Sequence, residues 1–220
     1  MKEDIFKILS GLSLSRPVYY SEADFQHTLA LEIQKRNPEA AIRLEYPFHG
    51  APKSAYIDIL IRDRGKTTAI ELKYKTARLE AGHNNENYTL KNQSAQDLGR
   101  YDYLKDIERL ETYCRLEKDW HGISIFLTND ATYWKNPIST MTVDSYFRIH
   151  ESRSIQGSLA WGENAKLGTI KTREKIITLM GSYTMQWFDY SDLATGRNSK
   201  FRFLLHEVNP SGAGEKSEGD

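Results

Sequence analysis

Two apolar runs joined by a four-residue turn constrain this chain more than any other feature. Tyr56–Arg62 reads YIDILIR and Thr67–Tyr74 reads TTAIELKY, with Asp63-Arg64-Gly65-Lys66 between them. The turn residues and the flanking β-branched content predict a hairpin. Side chains alternate faces along a strand. Ile57, Ile59 and Ile61 are therefore expected on one face, with Asp58 and Leu60 on the other. In the second run Glu71, Lys73 and Lys75 share one face, opposite Ile70, Leu72 and Tyr74. An acid from one strand and an acid-x-lysine pair from its neighbour thus converge on one side of a sheet.

Burying Asp58, Glu71 and Lys73 among apolar neighbours without compensation is costly. Two close carboxylates repel each other and invite a divalent cation, and their oxygens suit magnesium or manganese. Such an ion polarises a phosphate oxygen and lowers the pKa of bound water. Lys73 would orient or activate that water, or stabilise charge developing at phosphorus. The competing reading is a solvated hairpin whose aspartate and lysine form an ordinary surface pair.

Around the hairpin, apolar spacing predicts a helix over Asp4–Leu12 and a break at Arg16–Pro17. Ser21 then caps a helix over Glu22–Arg36, with Glu22 and Asp24 in its first turn and Asn37–Pro38 as its stop. Ala41–Phe48 reads as a strand before the hairpin. Thr76–Lys91, polar and rich in asparagine, reads as a long loop. Gln93–Lys118 is expected to be helical, and Gly122–Thr128 to be a buried strand. Further strands are expected at Tyr146–Ile149, Ile176–Leu179, Ser182–Tyr190 and Phe201–Val208. This order divides the chain into a core over 1–129, a β-rich C-terminal elaboration packed on it over 130–208, and a disordered tail over 209–220.

Asp58, followed thirteen positions later by Glu71-Leu72-Lys73 (71 minus 58), resembles the motif of the PD-(D/E)xK nuclease superfamily. The family's proline before the aspartate is replaced here by Ile57. The resemblance covers roughly the first 130 residues and implies an α/β fold. Its restriction-endonuclease-like core is a central mixed sheet flanked by helices in the order α-β-β-β-α-β, the order read over Glu22–Thr128. It implies a magnesium- or manganese-dependent nuclease acting on DNA more than RNA, with Asp58, Glu71 and Lys73 catalytic. Asp58, Glu71 and the Leu72 carbonyl would bind the metal. Many members dimerise, although the chain carries no dimer signature of its own. The alternatives are a binding or structural module that keeps the fold without cleavage, and an enzyme acting on RNA or on a nucleotide.

The family often adds an acid from the first core helix. Glu22 lies on the inward stripe with Gln26, Leu29 and Ile33, whereas Glu32 lies further round. Glu22 is the expected further ligand, although complementing the helix dipole would also explain it. Gln26, one turn on, is placed to bind water or phosphate, and Lys75 to hold a phosphate. Several branches carry a glutamine and a downstream tyrosine on the later helix. Gln96 and Tyr101 stand one residue wider than the usual spacing, and Arg100 between them is a candidate phosphate contact. An ordinary capped amphipathic helix accounts for the same three residues.

Composition removes other classes. Cys114 is the single cysteine, which excludes an intramolecular disulfide and a cysteine-based zinc site. Lysine plus arginine equals aspartate plus glutamate at 30 each, so overall charge lends no support to nucleic-acid binding. Met1–Ser10 lacks an apolar run of signal-peptide length, and no stretch approaches a membrane span. A cytoplasmic protein is expected.

Overall fold

The computed structural model describes residues 1–48, 55–139, 141–194 and 196–209. A six-stranded mixed sheet forms its centre. Two helices open the chain, α1 (Lys2–Ser15) and α2 (Glu22–Arg36). The Ser21 side chain accepts the Asp24 N–H and so caps α2 as the sequence predicts. Three strands follow: β1 (Ala41–Phe48), β2 (Ala55–Asp63) and β3 (Lys66–Lys75). Arg64 and Gly65 both have positive φ, at 48° and 78°, the geometry a two-residue hairpin turn requires.

Thr76–Lys91 is not a plain loop. It contains a second hairpin, β4 (Leu79–His83) and β5 (Glu86–Leu90), turning through Asn84 and Asn85 at φ 49° and 65°. Asparagine tolerates this left-handed conformation better than most residues. Leu79, Tyr88 and Leu90 are buried, which anchors an otherwise polar hairpin. Helix α3 (Gln96–Leu116) starts three residues later than expected. Gln93 instead gives its N–H to the Thr76 carbonyl, and Ala95 is left-handed at φ 67°.

Strand β6 (Trp120–Thr128) returns through the centre of the sheet, parallel to β3, with Glu71 opposite Ser124 and Lys73 opposite Phe126. The remainder of the chain gives β7 (Ser154–Leu159), the one-turn helix α4 (Leu167–Ile170), β8 (Ile177–Thr184), β9 (Phe188–Asp192) and β10 (Lys200–Val208). The strand order is β1-β2-β3-β6-β10-β9, so the C-terminal segment completes the central sheet; β7 and β8 pair separately.

Two sequence expectations in this segment fail. Tyr146–Ile149 is not a strand: a single 3-10 turn, Ser145–Phe147, precedes extended chain, and Phe147 and Ile149 are buried in the core on the α3 side from this irregular segment. Ser182–Tyr190 is not one strand but the end of β8 and the start of β9. Met185 donates its N–H to the Arg153 carbonyl at the break. Of the expected tail, 210–220 lies outside the described residues.

Helices α1 and α2 cover one face of the sheet, over Ile59, Ile61, Ile70, Leu72 and Tyr74. Helix α3 and the β7–β8 pair cover the other, over Ile57, Leu60, Ala69 and Phe126. Each fully buried aliphatic side chain contributes about 1.5–3 kcal/mol, so both layers bind the sheet firmly. At Gly122 a Cβ would lie 2.9 Å from the Val208 Cβ and 3.1 Å from the Leu110 Cβ, so the glycine lets α3 approach the sheet closely. Among the described residues, no helix is long and apolar enough to cross a membrane.

Candidate active site

Strands β2 and β3 are paired from Asp63–Lys66 as far as Ile59–Ile70 and then part. Beyond that point the inward N–H groups of β3 have lost their ladder partners. A buried backbone donor must find an acceptor, and side-chain carboxylates provide it. Asp58 Oδ2 accepts the Leu72 N–H at 2.7 Å, and Glu22 Oε2 accepts the Tyr74 N–H at 2.7 Å. Gln26 donates to the Asp58 carbonyl at 2.7 Å and to Glu45 at 2.7 Å, which fixes the backbone at the parting point.

The same parting breaks the simple alternation. Ile57 packs on the α3 side, whereas Ile59 and Ile61 pack under α1 and α2, so the expected common face of these three isoleucines is corrected. Asp58, Glu71 and Lys73 do assemble on the α3 side. Glu71 is 1 % exposed, and its Oε2 accepts from Arg109 at 2.8 Å. Its Oε1 is buried with no hydrogen-bond partner among the described residues. Lys73 Nζ lies 2.6 Å from Asp106 Oδ2 and 3.4 Å from the Leu72 carbonyl. Arg109 joins the two acids by also reaching Asp106 Oδ1 at 2.8 Å.

Asp106 and Arg109 are site residues the sequence reading passes over. Their signal is a charge inside an apolar stripe: Tyr103, Asp106, Leu110 and Tyr113 recur at helical spacing, and all four are buried.

Electrostatics follow from this crowding. Burial pushes the Asp58 carboxyl up to about 6, against the opposing pull of Lys73 and the Leu72 N–H. Burial and then the repulsion of Asp106 hold Glu71 well above the usual carboxylate range. Burial works against the Lys73 ammonium, but Asp106, Glu22 and Asp58 outweigh it and raise its pKa. Four carboxylates (Glu22, Asp58, Glu71, Asp106) therefore share a space with two cations (Lys73, Arg109). The negative excess favours a further cation.

Among the described residues no group of three or more acidic, histidine or cysteine side chains is arranged to hold a metal ion. The donors that fit a hard divalent ion are the bare Glu71 Oε1, the Asp58 oxygen not bonded to Leu72, and the Leu72 carbonyl.

The remaining sequence candidates have other neighbours. Glu22 lies at the edge of the site, while Glu32, partly buried, pairs with Arg36 one turn along α2. Both donor contacts of Gln26 are internal. Lys75, opposite Thr128, is partly buried at the end of β3. Gln96 donates to Asp130 at 2.9 Å, at the rim of a cleft beside the end of β3.

Arg100 is 3 % exposed and pairs with Asp144 at 2.9 Å and the Thr132 carbonyl at 2.9 Å. Burial and the nearby Arg148 charge lower its pKa. Tyr101 gives its hydroxyl to the Lys175 carbonyl and stacks on Trp161. Both side chains are thus committed to joining α3 to the C-terminal segment, a role the sequence reading did not assign them.

The chain matches no protein-family model, and no curated protein or solved structure is significantly similar to it.

Proposed function

We propose that this chain is a metal-dependent nuclease with a restriction-endonuclease-like core that hydrolyses phosphodiester bonds in DNA. One observation carries the reading. Where β2 and β3 part, a buried carboxylate (Glu71) and a partly buried one (Asp58), both with raised pKa values, meet beside a charged lysine, and one Glu71 oxygen has no partner among the described residues. Taking such charges out of water costs several kcal/mol per ion, which their mutual attraction repays only in excellent geometry, so stability is a weak reason to bury them together. A catalytic purpose is a stronger one.

Asp58, Glu71 and the Leu72 carbonyl would hold magnesium or manganese. When bound, that ion supplies Lewis acidity at a phosphate oxygen and a water of lowered pKa. Lys73 stays protonated at neutral pH because Asp106 raises its pKa. It therefore serves as a hydrogen-bond donor that orients the attacking water and stabilises charge at phosphorus, and it does not serve as the base. Asp106 fixes the ammonium, and Glu22 keeps Tyr74 and the strand edge in place. The choice of DNA rests on the motif resemblance, since the chain is neutral overall.

A second reading has its own support. The chain of ion pairs Glu71–Arg109–Asp106–Lys73 already neutralises much of the site, as suits a module that binds without cleaving. Plasmid, single-stranded DNA and RNA incubated side by side with magnesium separate the two. The nuclease reading expects chelator-sensitive cleavage of DNA. Absence of cleavage of any of the three, with no magnesium affinity, sinks it.

A further inference from the structure

A cleft opens where β3 and β6 leave the sheet. Its two lobes, of about 590 and 750 Å³, share Asp130, Thr132, Arg197 and Asn198. We infer that this cleft holds an unpaired strand of the nucleic-acid substrate as it runs away from Asp58, Glu71 and Lys73. The inference rests on the nuclease reading above and adds a place for the strand, on residues largely outside the motif-bearing region.

Position comes first. Ala77 lies four residues beyond Lys73 and two beyond the end of β3, at most about 14 Å of extended chain, so the cleft begins a few nucleotides from the site. Its floor is tied together by Asn129. That side chain accepts the Ala77 N–H at 2.8 Å and donates to the Ala77 and Asn198 carbonyls at 3.2 and 2.9 Å. The three segments that line the cleft are therefore held in one arrangement without a ligand.

Charge comes second. The chain as a whole is balanced, but five cations line this cleft: Arg78, Lys135, Arg148, Arg197 and Lys200. Among the described residues only two acids do, Glu80 and Asp130. Asp130 has both oxygens engaged, Oδ1 by the Thr132 N–H and hydroxyl and Oδ2 by Gln96, which holds its side chain in the protein's own hydrogen bonds. Glu80 is bonded to Arg78. Arg148 and Lys200 have acidic partners, whereas Lys135 and Arg197 are exposed with no ion pair among the described residues. These two are ready to meet phosphates, where Arg makes bidentate contacts and Lys a point-charge contact.

Shape comes third. Trp134 lines the larger lobe, partly exposed, with its indole tilted against Trp187 and Arg202 behind it. A cationic groove with an aromatic platform is how proteins hold single strands without reading sequence. Each lobe lies in the range of about 300–1,000 Å³ typical of small-ligand sites, a size that matches individual nucleotides of an unpaired strand.

The test uses the full chain in EDTA, so that binding is read without cleavage. A fluorescein-labelled single-stranded oligonucleotide is titrated with the parent and with the Lys135→Glu/Arg197→Glu variant, whose changed side chains are exposed and leave the core intact. The inference expects salt-sensitive binding by the parent, at least tenfold weaker binding by the variant, and weaker binding of the matching duplex by the parent. Equal affinity of parent and variant overturns it, as does a duplex bound as tightly as the single strand, or no binding at all. The nuclease reading is judged separately by adding magnesium. If binding is lost in the variant as expected but the parent never cleaves, the cleft stands and the nuclease reading fails. If both proteins cleave equally at limiting substrate, the nuclease reading stands and the cleft fails.

Discussion

Arg109 donates from Nη2 to Glu71 Oε2 at 2.8 Å, and the same guanidinium reaches Asp106 at 2.8 Å. A one-third exposed arginine thus closes a site built from buried acids. It relieves from the Glu71 Oε2 side the repulsion that a divalent ion at Glu71 Oε1 would also relieve, which makes the charge balance of the site the first thing to perturb.

Replacing Arg109 by leucine leaves Glu71 and Asp106 without this cation. Loss of one partner of a buried pair costs about 3–5 kcal/mol, and the partial exposure of Arg109 lowers that to about 2–3 kcal/mol. Thermal unfolding of Arg109→Leu is expected to show this loss without metal and a substantial recovery with magnesium, which would take over the neutralisation. A loss of stability that magnesium leaves unchanged would make Arg109 a structural ion pair only.

Asp58 offers a pH-dependent test. Its carboxyl titrates at about 6 in the folded chain against an ordinary 3.8, so the folded state binds more protons than the unfolded state between those values. Ionising Asp58 therefore destabilises the fold as pH rises through this window. Asp58→Asn keeps an oxygen for the Leu72 N–H and removes the charge. The variant is expected to be more stable than the parent at about pH 7, by up to about 3 kcal/mol, with the gap closing as pH falls below about 4. Denaturant unfolding across that range measures it; a gap independent of pH would contradict the assignment.

His206 shows the opposite sign. Burial lowers its imidazole to about 4 from an ordinary 6.5, while its ring is bonded to Tyr103 and the Thr184 carbonyl. The unfolded state takes up the proton first, so stability is lost as pH falls from about 6.5 to about 4, by about 3 kcal/mol in all. A His206→Gln variant starts less stable but should lose much less over that interval. Urea unfolding at several pH values gives both slopes, and parallel slopes would rule out His206 as the source.

Much of this arrangement is legible in the residues. The capping serine and the Asn37–Pro38 stop set the bounds of α2, and the Arg64-Gly65 turn sets the register that brings Asp58 towards Glu71. Alternation places Glu71 and Lys73 together because β3 stays regular. It fails at Ile57 because β2 turns away where its pairing ends, and strand period carries no information about where a partner leaves. The β4–β5 hairpin was hidden by its polar composition, although Asn84-Asn85 carried the turn signal. Asp106 and Arg109 were hidden for a different reason. Charges three residues apart on a helix usually form a solvated pair, and only the three-dimensional approach of α3 to β3 makes this pair part of the site.

The most direct measurement is magnesium-dependent cleavage of DNA by the parent chain and by Glu71→Gln, with circular dichroism confirming that both are folded. Glutamine preserves the size of a buried side chain and removes its charge. The account expects cleavage by the parent that stops with chelator, and a fall of at least a hundredfold in Glu71→Gln. Equal cleavage by the two folded proteins would contradict the central claim that the parting of β2 and β3 builds a catalytic metal site.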